Sequence, residues 1–230
     1  MTLQRAKENF IIDVATKLFF ENSIFNVTIK DIAKEAGVGE MTVYRYFGKK
    51  QNIVLAVAVK LEQEILSFFD LSDEKTGFDK IKVFYNSYLK IFKKSPKHYT
   101  FIRDFDTYMI DFKDEGSLEG YEKGIDAYKK MFFEAYELGL QDGSIKPHEN
   151  IETFYYASTH SLLELCKKMS YEGLLSQDDK IIKYDEIHML IDVFLESLSI
   201  SKWWKDLKME IYYEWQILND IRQSNAKQCY

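Results

Sequence analysis

The chain has few helix-breaking residues and few cysteines. Proline occurs twice and glycine ten times in 230 residues, which disfavours a turn-rich β fold. The two cysteines, Cys166 and Cys229, are too few for a disulfide framework and indicate a reducing compartment. The sequence has no run of 18 apolar residues and no signal-peptide pattern. We therefore expect a cytoplasmic protein that makes no contact with a membrane.

The usual sequence motifs of enzymes are also missing. The chain has no phosphate-binding glycine loop, no nucleophile elbow, no dinucleotide glycine pattern and no His-Glu-x-x-His motif. The histidines lack the spacing of metal ligands, and they are His98, His148, His160 and His188. We expect no catalytic activity, no metal and no cofactor.

Charge is divided unevenly along the chain. Residues 1–60 contain nine Lys or Arg and six Asp or Glu, a net charge of +3, whereas the whole chain carries −6. The remaining residues therefore carry −9. A small basic segment joined to an acidic body is compatible with a protein that presents one end to nucleic acid.

Apolar residues recur every three or four positions, which predicts an all-α protein. Leucine, isoleucine, lysine and glutamate are abundant, and polar breaks separate the periodic segments. One such break is expected at Gly139–Pro147, and others fall at Lys113–Gly120 and Gly173–Asp179. The predicted helices lie near residues 3–21, 28–37, 39–46, 49–69, 78–94, 97–112, 119–138, 149–172, 184–200 and 203–221.

A helix-turn-helix is predicted near the N-terminus. Thr28 and Asp31 have the spacing of a capping box at the start of the first helix, and Gly37 suits the left-handed residue of the turn. The second helix is short and has two faces, with Val43 and Phe47 directed to the core. Its outward residues fit the major groove of DNA, and they are Met41, Thr42, Arg45 and Tyr46.

This segment resembles the signature of the TetR family of transcriptional regulators. The family pattern is a threonine-led helix, Ala-Gly-Val, a polar pair, a Thr-aliphatic-Tyr-x-Tyr-Phe helix and a following lysine. The residues that match it are Thr28, Ile32, Ala33, Ala36, Gly37, Val38, Thr42, Val43, Tyr44, Tyr46, Phe47 and Lys50. The resemblance implies a three-helix DNA-binding domain over residues 1–52 and a helical ligand-binding and dimerisation domain over residues 53–230.

The resemblance also implies which side chains contact DNA. Met41 and Arg45 would contact base edges, with Arg45 suited to guanine. The residues that would contact phosphates are Thr28, Lys30, Thr42, Tyr44, Tyr46 and Lys50.

Two positions depart from the family pattern. Gly39 stands where relatives often have serine or threonine, and Glu40 stands where they often have a polar or basic residue. A carboxylate near phosphates is repelled unless it accepts from cytosine, but it is also favoured by the dipole at a helix N-terminus. Both interpretations of Glu40 remain open, so the base preference is not predicted.

The last two long helices carry broad apolar faces, and the resemblance implies that they form a homodimer. Residues on these faces would then contact a second copy, and they are Leu162, Cys166, Met169, Ile187, Ile191, Phe194 and Leu198. The alternative is that the same stripes are core within one chain. Trp203, Trp204 and Trp215 either cover the body or extend the dimer interface.

Aromatic residues are concentrated in the middle helices, where the resemblance implies a cavity for a small-molecule inducer. Such a lining with few charges suits an apolar or aromatic ligand, although aromatic residues at helical spacing are also typical of plain core. His160 is open to both interpretations. The candidate ligand-binding residues are Tyr85, Tyr88, Phe105, Tyr108, Met109, Phe133, Tyr136, Tyr155 and His160.

The function implied is that of a repressor, bound as a homodimer to a pseudo-palindromic operator and released by a small molecule. Two alternatives remain from the sequence. One is a helical interaction scaffold with a vestigial helix-turn-helix, and the other is a regulator that responds to no ligand. Salt dependence separates the scaffold from a DNA binder, because contacts to phosphates release counterions.

Overall fold

The computed structural model describes residues 3–110, 118–171 and 183–200, and the regular elements within these ranges are all helices. An isolated antiparallel bridge joins Ile145 to Ser199. The prediction of an all-α protein is confirmed. In chain order the helices are α1 (Leu3–Asn26), α2 (Ile29–Glu35), α3 (Glu40–Phe47), α4 (Lys50–Leu66), α5 (Gly77–Lys94), α6 (Lys97–Met109), α7 (Glu119–Asp142), α8 (Ile151–Met169) and α9 (Lys183–Leu198).

Helices α1, α2 and α3 form the N-terminal unit around a small core. Thr28 caps α2, and the reciprocal hydrogen bonds with Asp31 form the predicted capping box. Gly37 adopts the left-handed conformation, with φ 65°, and turns the chain toward α3. The core also takes in α4 residues as far as Leu61 and three residues of α6. The domain boundary at residue 52 stays a prediction. The N-terminal core includes residues on both sides of this position.

A sharp kink interrupts α1 at the place where the sequence predicts its end. Ser23 has φ 67° and ψ 151°, a backbone conformation that side chains other than hydrogen rarely tolerate. The helical path then resumes to Asn26, so α1 is longer than predicted but is broken as expected. Buried Ile24 follows the kink and joins the N-terminal core, which explains why the chain continues there.

Helix α7 ends at Asp142, within the break predicted at Gly139–Pro147. The break is confirmed, but it starts later than predicted for a physical reason. Gly77 of α5 packs directly on the backbone of Gly139, and any side chain at Gly77 would overlap that backbone. Gly139 is therefore a place of close helix contact. The residue that ends α7 is Gly143, with φ 72°.

The other helix ends lie close to the predicted ones. Helix α4 ends at Leu66 and α6 at Met109, each three residues before the predicted end. The predicted helix Trp203–Ile221 lies outside the described residues, as do its tryptophans and the break at Gly173–Asp179. Within the described ranges, no helix combines the length and apolar character that crossing a membrane requires.

Candidate DNA-binding surface and ligand cavity

Helix α3 presents one face to the core and the other to solvent. Val43 and Phe47, one turn apart, are buried against α1, α2 and α4. The side chains on the opposite side, Glu40, Met41, Tyr44 and Arg45, are exposed, and Thr42 and Tyr46 are half-buried. The 3.6-residue period explains this arrangement, since positions i and i+4 share a face. The outward residues predicted for the recognition helix thus form one surface.

Arg45 lies over the ring of Tyr46, with 5.4 Å between the guanidinium carbon and the ring centroid. Such a contact holds a cation without using its hydrogen-bond donors. Glu40 is exposed in the first turn of α3, where the helix dipole favours a carboxylate. This position is compatible with both interpretations of Glu40.

Thr28 is fully engaged at the start of α2. Its hydroxyl donates to the Asp31 carboxylate at 2.6 Å, and its backbone N–H donates to the same carboxylate at 2.9 Å. These hydrogen bonds lower the pKa of Asp31. Lys30 and Lys34 are exposed beside the cap. The expected contact of Thr28 with a phosphate stays a prediction, and the exposed lysines are the available cations on α2.

Lys50 is half-buried, in contrast to exposed Lys49 next to it. The Lys50 ammonium donates to the carbonyl oxygen of Ile24 at 2.5 Å and lies 5.1 Å from the ring centroid of Tyr108. Burial lowers the pKa of Lys50. An ammonium has three donors, so its phosphate contact stays a prediction. What sequence reasoning missed is that Lys50 also joins the start of α4 to the end of α1.

A cavity of about 170 Å³ lies between α4, α5, α6, α7 and α8. Nine phenylalanine and tyrosine side chains are part of its wall, which makes the wall predominantly aromatic. The lining residues are Ala58, Leu61, Glu62, Ile65, Phe69, Tyr88, Ile91, Tyr99, Phe101, Ile102, Phe105, Tyr121, Ile125, Tyr128, Tyr155, Tyr156, Thr159, His160 and Leu163.

Four of the nine candidate ligand-binding residues lie in this wall, namely Tyr88, Phe105, Tyr155 and His160. His160 is exposed, so it is not a buried core histidine. The other five lie elsewhere, because periodicity identifies inward residues but not the gap between helices. Two of them make hydrogen bonds, Tyr85 with the Ser158 hydroxyl and Tyr136 with the backbone N–H of His148, from which it accepts. Two others pack against rings, Tyr108 against Phe25 and Phe133 against Phe132. Met109 belongs to the N-terminal core.

Glu62 is the cavity residue that sequence reasoning missed. It is 6% exposed, and among the described residues its Oε2 has no hydrogen-bond partner. Burial raises its pKa to about 7. A signal was available, because Glu62 lies one turn after Ala58 on the apolar face that also carries Leu61 and Ile65. A carboxylate at such a position requires an explanation.

The residues expected at a dimer interface are mostly buried within the single chain, so this expectation is corrected. Leu162, Cys166, Ile187, Ile191 and Leu198 are fully buried in the larger core, and Met169 is 9% exposed. Half-buried Phe194 packs against Tyr85 and Phe154. The apolar stripes of α8 and α9 therefore face the core, which was the alternative interpretation.

Two helices join the cavity to the N-terminal unit. Helix α4 lines the cavity with Ala58, Leu61, Glu62 and Ile65, and it begins at Lys50, directly after α3. Helix α6 lines the cavity with Phe101, Ile102 and Phe105 and packs along α1, where the rings of Phe19 and Phe101 are stacked. The cavity and the N-terminal unit therefore share helices α4 and α6.

The N-terminal unit matches a known protein family. The sequence profile described as "Bacterial regulatory proteins, tetR family" matches residues 11–57. The chain is 28% identical over 144 residues to the HTH-type transcriptional regulator SAR2658 of Staphylococcus aureus strain MRSA252, which covers 61% of this chain and 72% of that protein. It is 39% identical over 67 residues to HbdR of Aromatoleum, covering 27% of this chain and 29% of HbdR.

Solved structures share the fold over most of the chain. The ketosteroid transcriptional regulator KstR2 of Mycobacterium tuberculosis aligns with a TM-score of 0.60 and 13% identity, covering 87% of this chain and 98% of KstR2. The transcriptional regulator FadR of Bacillus subtilis was solved in complex with stearoyl-CoA. It aligns with a TM-score of 0.61 and 15% identity, covering 83% of this chain and 98% of FadR.

Proposed function

The chain belongs to the TetR family of bacterial regulatory proteins, and from this premise we propose that it is a homodimeric repressor released from DNA by a small molecule. The proposal depends most on the exposure of the outward face of α3. Exposed Met41 and Arg45 lie on one face of a short helix that is held by a buried Val43–Phe47 pair. This arrangement suits insertion into the major groove.

In this proposal the base-reading and phosphate-binding roles are divided by residue type. Arg45 donates to guanine, and Met41 makes apolar contacts. Glu40, Thr42, Tyr44 and Tyr46 border the groove. The cations that would contact phosphates are Lys30 and Lys50, together with exposed Lys34 and Lys49. Exposed Lys49 and half-buried Lys50 occupy the N-terminal end of α4, next to the C-terminal end of α3.

The proposed dimer uses the outer face of α9. Met189 is 70% exposed and Val193 is 51% exposed, and the two lie one helical turn apart. Exposed apolar side chains at this spacing form a strip that a second copy would cover. A two-fold axis through such a strip would present two α3 helices to successive turns of DNA, about 34–36 Å apart. A pseudo-palindromic operator follows from that symmetry.

The proposed ligand site is the aromatic cavity. Its wall suits an organic ligand that is largely apolar or aromatic. FadR was solved with stearoyl-CoA, and KstR2 is described as a ketosteroid regulator. The stearoyl group of the molecule bound to FadR is apolar, which supports a ligand role for the apolar cavity of this chain. Ligand binding would displace α4 and α6 and so change the separation of the two α3 helices.

The DNA-binding part is tested by selecting duplexes from a random pool with the purified chain, followed by a salt titration of the best duplex. We expect a palindrome to be enriched and its affinity to fall steeply with salt, since each neutralised phosphate releases counterions. Absence of enrichment at low salt would favour a helical scaffold with a vestigial helix-turn-helix.

A further inference from the structure

Among the described residues of the cavity wall, Glu62 is the one acidic residue. Glu62 is 6% exposed, and within the described part of the chain its Oε2 has no hydrogen-bond donor. The backbone of Gly124 on α7 makes room for it, because a Cβ there would overlap the carboxylate. The carboxylate is therefore accommodated by the fold but left without a hydrogen bond at this oxygen.

The described side chains that share the cavity with this carboxylate are mostly aromatic or aliphatic. Tyr128 directs its hydroxyl to the backbone oxygen of Glu62 at 3.5 Å, and its interaction with the carboxyl group itself partly opposes the rise in the pKa of Glu62 that burial causes. Among the described residues of the cavity wall there is no lysine or arginine, and exposed His160 is the one basic side chain. A buried carboxylate with a neutral hydrogen-bond partner but no cation beside it is costly unless a cation neutralises it or it takes up a proton.

The wall around Glu62 has the chemistry that stabilises an organic cation. Tyr88, Tyr99, Tyr121, Tyr128 and Phe69 contribute rings to the same cavity. The faces of such rings attract a cation, and cages of this kind bind quaternary ammonium groups. An inorganic cation would lose more hydration than these rings restore, whereas a substituted ammonium has little hydration to lose.

We propose that the cavity binds a lipophilic organic cation, such as an aryl ammonium, with Glu62 as its counter-ion and the tyrosine and phenylalanine rings as its cage. This inference rests on the proposed function, since it names the ligand class of the same cavity. It narrows the expectation of an apolar or aromatic ligand by adding one positive charge at a defined place. Glu62 then connects the ligand directly to α4, the helix that begins beside α3.

The first test compares two ligands of the same shape. Phenyltrimethylammonium and tert-butylbenzene differ by a positively charged nitrogen in place of a carbon. We expect calorimetric titration of the whole chain at pH 8 to give an affinity about tenfold or more higher for the cation, because only the cation neutralises Glu62. Glu62→Gln should lower the affinity for the cation to that for the neutral compound. Glu122→Gln, which removes an exposed carboxylate of α7, should not.

The second test uses pH. Binding of a cation favours ionised Glu62, so affinity for phenyltrimethylammonium should rise from pH 5.5 to pH 8 and should release a proton near pH 7. Among the described residues, the wall also contains tyrosines of α5, α6, α7 and α8 and His160 of α8. Burial raises the pKa of five of these tyrosines, which therefore stay neutral over this range, and they are Tyr88, Tyr99, Tyr121, Tyr128 and Tyr155. The same pH dependence of affinity should be measured in His160→Gln, because this variant has no imidazole in the wall and any remaining pH dependence cannot come from His160.

The outcomes separate the inference from the proposed function. Tighter binding of the cation that disappears in Glu62→Gln supports the inference, and retained binding of tert-butylbenzene shows that the variant is folded. Equal or tighter binding of tert-butylbenzene by the unaltered chain overturns the inference but leaves the cavity as a ligand site. Binding of neither compound overturns the inference and the ligand site together, while operator binding is scored independently by duplex selection.

Discussion

The Ser23 hydroxyl donates a 2.6 Å hydrogen bond to the carboxylate of Asp104, which lies 81 positions later in the chain. Ser23 is the kinked residue of α1, and Asp104 belongs to α6, whose neighbouring residues line the cavity. Arg103 donates to the other oxygen of the same carboxylate at 2.8 Å. The contact therefore joins the N-terminal unit to a helix that lines the cavity.

This contact predicts different effects for two substitutions of Ser23. Ser23→Ala should lower the free energy of unfolding by about 1.5–3 kcal/mol, because it removes a hydrogen bond to a charged group. Ser23→Gly loses the same bond but relieves a backbone conformation that costs roughly 1–3 kcal/mol in other residues. Denaturant unfolding should therefore find the glycine variant the more stable of the two. A less stable glycine variant would contradict strain at the kink.

Arg45 and Lys30 should differ in what they contribute to DNA binding. Arg45→Ala should cost about 1–3 kcal/mol on the selected duplex and relax the base preference at one position in each half-site. Lys30→Ala should weaken binding to all sequences alike and reduce the salt dependence. Competition binding with duplexes altered one base pair at a time measures both. Equal losses on every duplex for Arg45→Ala would remove its role in reading bases.

Lys50 and Lys49 provide a matched pair next to α3. Lys50→Ala should weaken binding to all duplexes and also lower the free energy of unfolding by about 1 kcal/mol or more, because the Ile24 carbonyl loses its charged donor. Lys49→Ala removes an exposed cation and should affect DNA binding without a comparable change in stability. Thermal unfolding of both variants measures this difference in stability. Equal stability of the two would contradict the structural role of Lys50.

The N-terminal unit could be predicted from the sequence because its signals are local. A capping box, a left-handed glycine and a two-faced short helix each depend on residues a few positions apart, and the structure has all three at Thr28–Asp31, Gly37 and α3. The larger half depends on contacts between distant segments. Periodicity marked the inner faces of α8 and α9, but it could not distinguish a core within one chain from an interface between two.

Glu62 and Gly139 illustrate the same limit. Gly139 looks like a helix breaker until Gly77, 62 positions earlier, is placed against it. Glu62 looks like an ordinary helical glutamate until its neighbours on α7 are known. In both cases the meaning of the residue is set by a partner on another helix. Composition and spacing carry no information about that partner.

The close contact between α5 and α7 predicts opposite effects for two glycine substitutions. Gly77→Ala should destabilise the chain by about 1–3 kcal/mol or more, because the added carbon overlaps the backbone of Gly139. Gly120→Ala has room, with its nearest neighbour at 3.6 Å, and should stabilise α7 by roughly 0.5–1 kcal/mol. Denaturant titrations of the two variants test this. A neutral Gly77→Ala would show that the helices can move apart at little cost.

Glu62 should make the stability of the ligand-free chain depend on pH. Its pKa is about 7 in the folded chain and near 4.5 when the chain unfolds, so the folded state binds the proton more tightly. Stability is therefore highest below pH 4.5 and falls as pH rises toward 7, by roughly 3 kcal/mol from this group. The difference between the unaltered chain and Glu62→Gln should follow that curve. A difference that does not change between pH 4.5 and 8 would mean that Glu62 is not desolvated.

We propose that the ligand cavity controls the DNA-reading helix α3 of the same chain. The most direct measurement of this control is the affinity for the selected duplex with and without saturating phenyltrimethylammonium. We predict that the cation weakens DNA binding by about 5–150-fold, and that the duplex weakens cation binding by the same factor, because coupling is reciprocal. An unchanged affinity for the duplex, with the cation shown by calorimetry to be bound, would contradict the claim.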